Sequence, residues 1–421
     1  MANRTADNEN ESSGESIKGI SEKADSPETV NNDILTDIHC EDKKRFRTHC
    51  LSNDGLVSTS LRAQAWPILT GCEGNERSLD SVPIQFMAPH RDESQVKKDV
   101  DRSYIHYPEN MAEETELELK AQLKRLIVRM LREVPDLNYY QGYHDVAAVV
   151  TIIFGKDEQT AFNFLYYMTL RYLRDHMLQD IDPTLKQLDL IPEILWYADR
   201  KFYNAIKPTL KEPIFALSSI ISLFAHDLNR FDEVCLLWDA IIAEKDPSMP
   251  LYLYVSMMVR YRAQILQQIR EGDGSAEFIH VILSRLINSN INSLSRQAAQ
   301  SEISAVIKSA LKLKRKICPI RKLRRFRSIS KYSCLKDRKV STSTLGLQVK
   351  EEAINIAKAR KRKQTVARYQ RVAKNIQSIP LLLKISIGVG LLTVILALAM
   401  DPQSKKTAKT FGNSLLNGWI R

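Results

Sequence analysis

Glycine is scarce in this sequence: 14 residues in 421, about half the usual share. That scarcity argues against a chain built on many tight turns, whether an all-β sandwich or a collagen-like repeat. Cysteine is sparse as well. The six cysteines, Cys40, Cys50, Cys72, Cys235, Cys318 and Cys334, make no C-x-x-C pair and stand at no finger spacing from a histidine. Neither a disulfide framework nor a metal site is expected from them. The first twenty residues hold no apolar run, which argues against a cleaved signal peptide. What is present, 44% apolar and 26% charged residues, is the composition of a globular protein with room for one large domain or two ordinary ones.

The net charge of +11 would suit a nucleic-acid binder were it evenly spread, and it is not. Residues 1–40 carry 3 basic and 9 acidic groups, whereas residues 308–374 carry 23 basic and 3 acidic ones. The 41–307 stretch is left mildly acidic, at net −7. Basicity therefore belongs to one segment near the C-terminus, and the part large enough to fold gives no reason to expect nucleic acid as a partner.

Residues 1–40 are polar and acidic with almost no large apolar side chains, so they read as a disordered tail. Beyond Glu41 the apolar content rises. Leu119, Leu123, Leu126, Met130 and Val134 recur at spacings of three and four, which predicts an amphipathic helix over Ala112–Val134, ended by Pro135. Further helices are expected over Asp145–Phe154, Thr160–Leu173, Pro213–His226, Glu233–Ala243, Leu251–Gln268 and Val349–Asn375. No comparable run alternates with the period of a strand. The expected organisation is an all-α domain over 41–307, a largely solvated basic linker over 308–378, a membrane span over 379–400 and a short tail over 401–421. Ile385–Met400 holds no charge, and with the four residues before it makes about 20 residues, roughly 30 Å of helix. Clusters at 312–316, 321–327 and 358–363 precede that span, which predicts a cytosolic domain tethered by a tail anchor, with anionic head groups as the partner of the basic segment.

Two segments resemble neither core nor solvated face. In Val96–Arg102, Asp99 stands one helical turn before Arg102 and could hold its guanidinium in one orientation. In Tyr139-Tyr140-Gln141-Gly142-Tyr143-His144-Asp145, a neutral glutamine sits in an aromatic turn ahead of an apolar helix. His106 and His144 flank these motifs, but no nucleophile or paired carboxylate accompanies them, which argues against acid–base catalysis.

These residues resemble the TBC family, the GTPase-activating proteins of Rab GTPases. The family's I-x-x-D-x-x-R motif is matched at Val96, Asp99 and Arg102 with valine in place of isoleucine, and its Y-x-Q-G motif is matched at Tyr139, Gln141 and Gly142. Arg62, Trp66 and Leu69 resemble the opening R-x-x-x-W-x-x-L block, and Leu237-Trp238-Asp239 the late L-W-D block. The resemblance implies a multi-helix TBC domain that binds a Rab in trans, with Arg102 as arginine finger and Gln141 as glutamine finger. It further implies that Asp99, Tyr139 and Gly142 support the fingers, that Arg62 and Trp66 belong to the scaffold, and that GTP and Mg²⁺ arrive on the partner. A tail-anchored branch of the family, resident in the endoplasmic reticulum and acting on the Rab of ER-to-Golgi traffic, has the same layout. The basic end of the chain (Lys405, Lys406, Lys409, Arg421) also leaves Golgi, mitochondrial or peroxisomal membranes open, and a non-catalytic tethered scaffold is the alternative function.

Overall fold

The computed structural model describes residues 36, 43–72, 82–104, 112–317, 320–337 and 339–377. Among them every regular element is helical. In chain order the helices are α1 (Lys43–Cys50), α2 (Thr59–Thr70), α3 (Glu93–Asp101), α4 (Glu113–Glu133), α5 (Tyr143–Phe154), α6 (Glu158–Met168), α7 (Asp182–Leu188), α8 (Leu190–Ala198) and α9 (Arg200–Ile206). They continue with α10 (Leu217–Ile221), α11 (Phe231–Glu244), α12 (Met249–Arg260), α13 (Arg262–Glu271), α14 (Ala276–Ser284), α15 (Leu286–Asn290), α16 (Arg296–Ile317) and α17 (Thr342–Gln377).

Three helices are apolar nearly all round, and they occupy the centre, as a helix without a polar face must. These are α5, α11 and α12, whose side chains are buried over most of their lengths. Amphipathic helices cover them with one face each: α4 packs on α5, α2 on α11 and α5, and α16 runs against α12 and α11. Helix α4 begins with Glu113, Glu114 and Glu116 in its first turn, where negative charge favours the dipole. It buries Leu123, Leu126, Ile127, Met130 and Leu131 along one side.

Three expected helices are interrupted, the first being Thr160–Leu173, whose α-helix ends at Met168 and gives way to a π turn over Thr169–Leu173. Pro213–His226 divides into a 3₁₀ turn at Ile214–Ala216 and the short α10, after which Leu223 and Phe224 adopt left-handed backbone with φ of 49° and 69°. That conformation is costly for such residues. It is offset by full burial of Phe224 and by the Trp238 indole N–H donating to the Leu223 carbonyl at 2.9 Å. Leu251–Gln268 likewise breaks at Tyr261, giving α12 and α13.

The basic segment differs from the expected linker. The boundary at 307 falls inside α16, whose Ala310, Leu313 and Ile317 are buried in the domain. Residues 320–337 and 339–352 then fold back as a strap that buries Leu323, Ile329, Cys334 and Leu345. Apolar residues interleaved among the charges make this possible, because Lys and Arg lie outward while Leu, Ile and Cys face in. Only from residue 353 to 370 is α17 exposed nearly all round. No helix among the described residues is long and apolar enough to cross a membrane; the expected 1–40 tail, apart from residue 36, and the apolar run at 379–400 lie outside the described residues.

Candidate functional site

Helix α3 places Arg102. Val96 and Val100 anchor the helix in the core, and the helix ends as the Arg102 N–H turns back to the carbonyls of Asp99 and Val100. The Arg102 side chain is 52% exposed, yet one edge of its guanidinium is held: Nη2 donates to Asp99 Oδ1 at 2.6 Å. Asp99 itself is fully buried. A buried carboxylate is costly unless its oxygens are satisfied, and here they are. Oδ1 also accepts from Gln95 Nε2 at 3.0 Å, and Oδ2 accepts from the Tyr139 hydroxyl at 2.8 Å.

Tyr139 belongs to the second motif, so this bond joins the two. Further contacts fasten the same strip of chain along α3. The Tyr139 N–H donates to Asp92 Oδ2 at 2.9 Å, at the helix start, and the His90 ring Nε2 lies 3.0 Å from the Leu137 carbonyl. Two residues beyond Tyr139 the exposed Gln141 sits at the apex of a turn. Gly142 follows with φ +110°, a conformation that side-chain-bearing residues rarely adopt, and starts α5. A Cβ there would meet nothing closer than 3.8 Å, so conformation rather than space calls for glycine. Tyr140 closes the turn from beneath by donating its hydroxyl to the Ile221 carbonyl at 2.7 Å.

The network extends past Tyr139. His144 Nδ1 lies 3.1 Å from the Tyr139 hydroxyl and accepts from the Gly142 N–H at 3.3 Å, while its Nε2 is 3.4 Å from Asp145 Oδ1. Asp145 Oδ2 is 2.8 Å from His226 Nδ1. Burial, and secondarily the hydrogen bond to Asp99, push the Tyr139 hydroxyl well above its ordinary pKa, so it remains a donor. Burial lowers His144, against the opposing pull of Asp145 and Asp99. The hydrogen bond to Asp145 raises His226.

Arg62 and Trp66 lie elsewhere, at a buried junction of α2 and α11. Asp239 Oδ2 accepts from Arg62 Nη2 at 3.0 Å and from the Leu56 N–H at 3.0 Å, and its Oδ1 accepts from Trp66 Nε1 at 2.8 Å. Burial works against the Arg62 charge, but Asp239 outweighs it and leaves the guanidinium held more firmly than usual. Trp66 stacks on Phe164 with ring centroids 5.5 Å apart. Gly55, at φ +61°, passes so close that a Cβ would lie 2.4 Å from Asp239 Oδ2. This junction is structural, fixing α2 against α11.

No group of three or more His, Cys, Asp or Glu among the described residues is placed to hold a metal ion, and His106 lies outside them. Sequence reasoning missed His226 and Asp145 as continuations of the network, and it missed Asn138, whose N–H and side-chain Nδ2 both donate to the Met177 carbonyl, at 2.7 and 3.1 Å. Asp145 and Asn138 stand inside or beside the glutamine motif, which was the available signal. Nothing local pointed to His226.

Fold and site together define an all-helical module that presents an exposed arginine and an exposed glutamine from two motifs bonded to each other. Residues 59–266 match the model of the Rab-GTPase-TBC domain, and the chain belongs to that family. It is 30% identical over 284 residues to GTPase-activating protein gyp10 of Schizosaccharomyces pombe, covering 67% of this chain and 71% of that protein. It is 30% identical over 259 residues to GTPase-activating protein GYP8 of Saccharomyces cerevisiae, and 31% identical over 248 residues to TBC1 domain family member 20 of Homo sapiens. Those two alignments cover 54% and 58% of this chain but only 51% and 59% of the relatives' own lengths.

Proposed function

We propose that this chain accelerates GTP hydrolysis by a Rab-family small GTPase, with Arg102 and Gln141 acting in trans. The observation that carries the reading is the 2.8 Å hydrogen bond from Tyr139 to Asp99, because it ties the support of one finger to the turn that presents the other. Hydrolysis on a bare GTPase is slow because charge building on the β–γ oxygens is poorly compensated and the attacking water poorly held. Arg102, half-exposed and with its guanidinium oriented by Asp99 through Nη2, supplies the charge. Gln141 orients the water, and Gly142 permits the backbone turn that presents it. GTP and Mg²⁺ belong to the partner.

The same proposal gives the rest of the chain a role. An uncharged run at 385–400 behind a segment of net +20 suits a tail anchor with the domain in the cytosol. The exposed basic stretch of α17, including Lys358–Lys363, suits a surface of anionic lipid. The endoplasmic reticulum and its ER-to-Golgi Rab are the favoured membrane and substrate, with Golgi, mitochondrial and peroxisomal membranes as alternatives. A single-turnover assay of the full chain in detergent against a panel of Rab proteins tests the function. A stimulated Rab whose own glutamine is changed to alanine should still respond, and Gln141→Ala should fail on the unaltered Rab. No stimulation of any Rab, with Rab binding retained, would favour the scaffold instead.

A further inference from the structure

Between α6 and α7 the chain makes a π turn at Thr169–Leu173 and a 3₁₀ turn at Arg174–Met177, and this segment bears three charged side chains that are almost wholly buried. Arg171, Arg174 and Asp175 are 3%, 0% and 1% exposed. Such charges are costly unless their polar atoms are paired; Arg174 Nε finds no partner among the described residues, whereas its two Nη atoms do. Their partners come chiefly from the strap, 158 and more residues away in sequence. Arg174 Nη2 donates to the carbonyls of Tyr332 at 2.6 Å and Asp337 at 3.2 Å, and its Nη1 to that of Lys339 at 3.1 Å. Arg171 Nη1 donates to the Cys334 carbonyl at 2.9 Å. Asp175 accepts from the Ser333 hydroxyl, from the Cys334 N–H at 3.1 Å, from Gln348 Nε2 at 2.7 Å and from Gln187 Nε2 at 2.6 Å.

The opposite side of the same segment meets the glutamine turn. Met177 offers its carbonyl to both Asn138 donors, and Thr169 Oγ1 lies 2.6 Å from the hydroxyl of Tyr143, the residue after Gly142. The His176 ring meets the Tyr140 ring edge-on at 6.4 Å. Residues 169–177 are thus held between the turn that presents Gln141 and a strap lying outside the matched 59–266 region.

We propose that residues 329–337 and 339–352 are a latch that positions the glutamine turn, acting through Asp175 and Arg174 to Met177 and from there to Asn138. Ser333, Gln348, Asp175 and Asn138 are accordingly positioning residues for the hydrolysis reaction. The proposal rests on the reading of Gln141 as a finger.

The test uses the full chain in detergent with a GTPase that it stimulates. Ser333→Ala combined with Gln348→Met removes two donors to Asp175 and alters nothing in 138–142. Stimulated hydrolysis should fall roughly ten- to a hundredfold in kcat, because small misplacements of a reacting group are expensive, while KM for the GTPase changes by less than about twofold. Amide exchange at Asn138 should quicken. In a Gln141→Ala background the same pair of substitutions should produce no further loss. An equal further loss there, or full activity of the double variant in the native background, overturns the latch. If instead Gln141→Ala alone is fully active, the finger assignment fails, and unchanged exchange at Asn138 would overturn the latch separately. Should the double variant not fold, Asn138→Asp, which loses the Nδ2 donor to Met177 while keeping the Oδ1 that accepts from Arg91, is read by the same kinetic criteria.

Discussion

The Tyr139 hydroxyl donates to Asp99 Oδ2 at 2.8 Å across 40 residues of sequence, and the other oxygen of that carboxylate holds Arg102. One buried carboxylate therefore serves both motifs. Its position explains why an exposed guanidinium can have a fixed orientation, since Asp99 is satisfied by Arg102, Gln95 and Tyr139 and has no freedom to turn.

Tyr139→Phe tests that relationship with the smallest change available. It leaves Asp99 buried with one donor fewer, a loss of about 1–3 kcal/mol. A lower melting temperature and a reduced stimulated rate, with KM for the GTPase retained, are the expected results. A variant with unchanged rate and stability would show that the bond between the motifs has no consequence.

Arg102 should matter to the transition state and little to the ground state. Arg102→Ala is expected to lower stimulated hydrolysis by about 10³ to 10⁵ while leaving the fold and most affinity for the GTPase intact. Arg102→Lys should fail almost as fully, because an ammonium lacks the planar fork of donors. Single-turnover rates and binding isotherms measured together decide this: near-normal rates for Arg102→Ala would remove Arg102 from the mechanism, and for Arg102→Lys would show that charge alone suffices.

The two histidines of the network make opposite contributions to stability. His226 has its pKa raised, first by the hydrogen bond to Asp145, so its contribution is complete below the ordinary value of 6.5 and is lost as pH rises through the raised value. His144 has its pKa lowered by burial, so its contribution is present above 6.5 and is lost as pH falls through the lowered value. Asp145→Asn should bring the His226 titration, followed by NMR of the ring protons, down toward 6.5. A His226 midpoint that does not move would mean that Asp145 is not its partner in solution.

Truncation tests the extent of the folded unit. A chain ending at 307 loses the buried Leu313, Ile317, Leu323, Ile329 and Leu345. At about 1.5–3 kcal/mol for each fully buried large side chain, the gross loss is of order 10 kcal/mol. That is comparable with the whole stability of a typical domain, about 5–15 kcal/mol. A 41–307 fragment should therefore be insoluble or melt far below a 41–377 fragment. Equal, cooperative melting of the two would show that the strap is dispensable.

Most helices were legible because their signal is local. The three- and four-residue spacing along α4 and the apolar runs of α5 and α11 each specify a helix without reference to distant residues. Where packing overrode that signal, at Leu223 and Phe224, an apolar run of helical appearance was bent so that Phe224 could be buried. Of the site, Arg102, Gln141, Asp99 and Tyr139 could be picked out from two short motifs and their resemblance to a family. Their mutual arrangement could not, because spacing along the chain says nothing about which hydroxyl reaches which carboxylate.

The sequence by itself determined the helical class, the position of the two motifs and the separation of an acidic domain from a basic end, since each depends on periodicity or composition within a few turns of chain. It also carried Arg171, Arg174 and Asp175 in plain view without a reason for them. Only the tertiary structure decided that the first part of the basic segment, through residue 352, belongs to the fold. Asp175 meets Ser333 and Gln348 at sequence separations of 158 and 173 residues. Burying a charge becomes acceptable once such remote partners surround it, and no local pattern encodes which remote residues will.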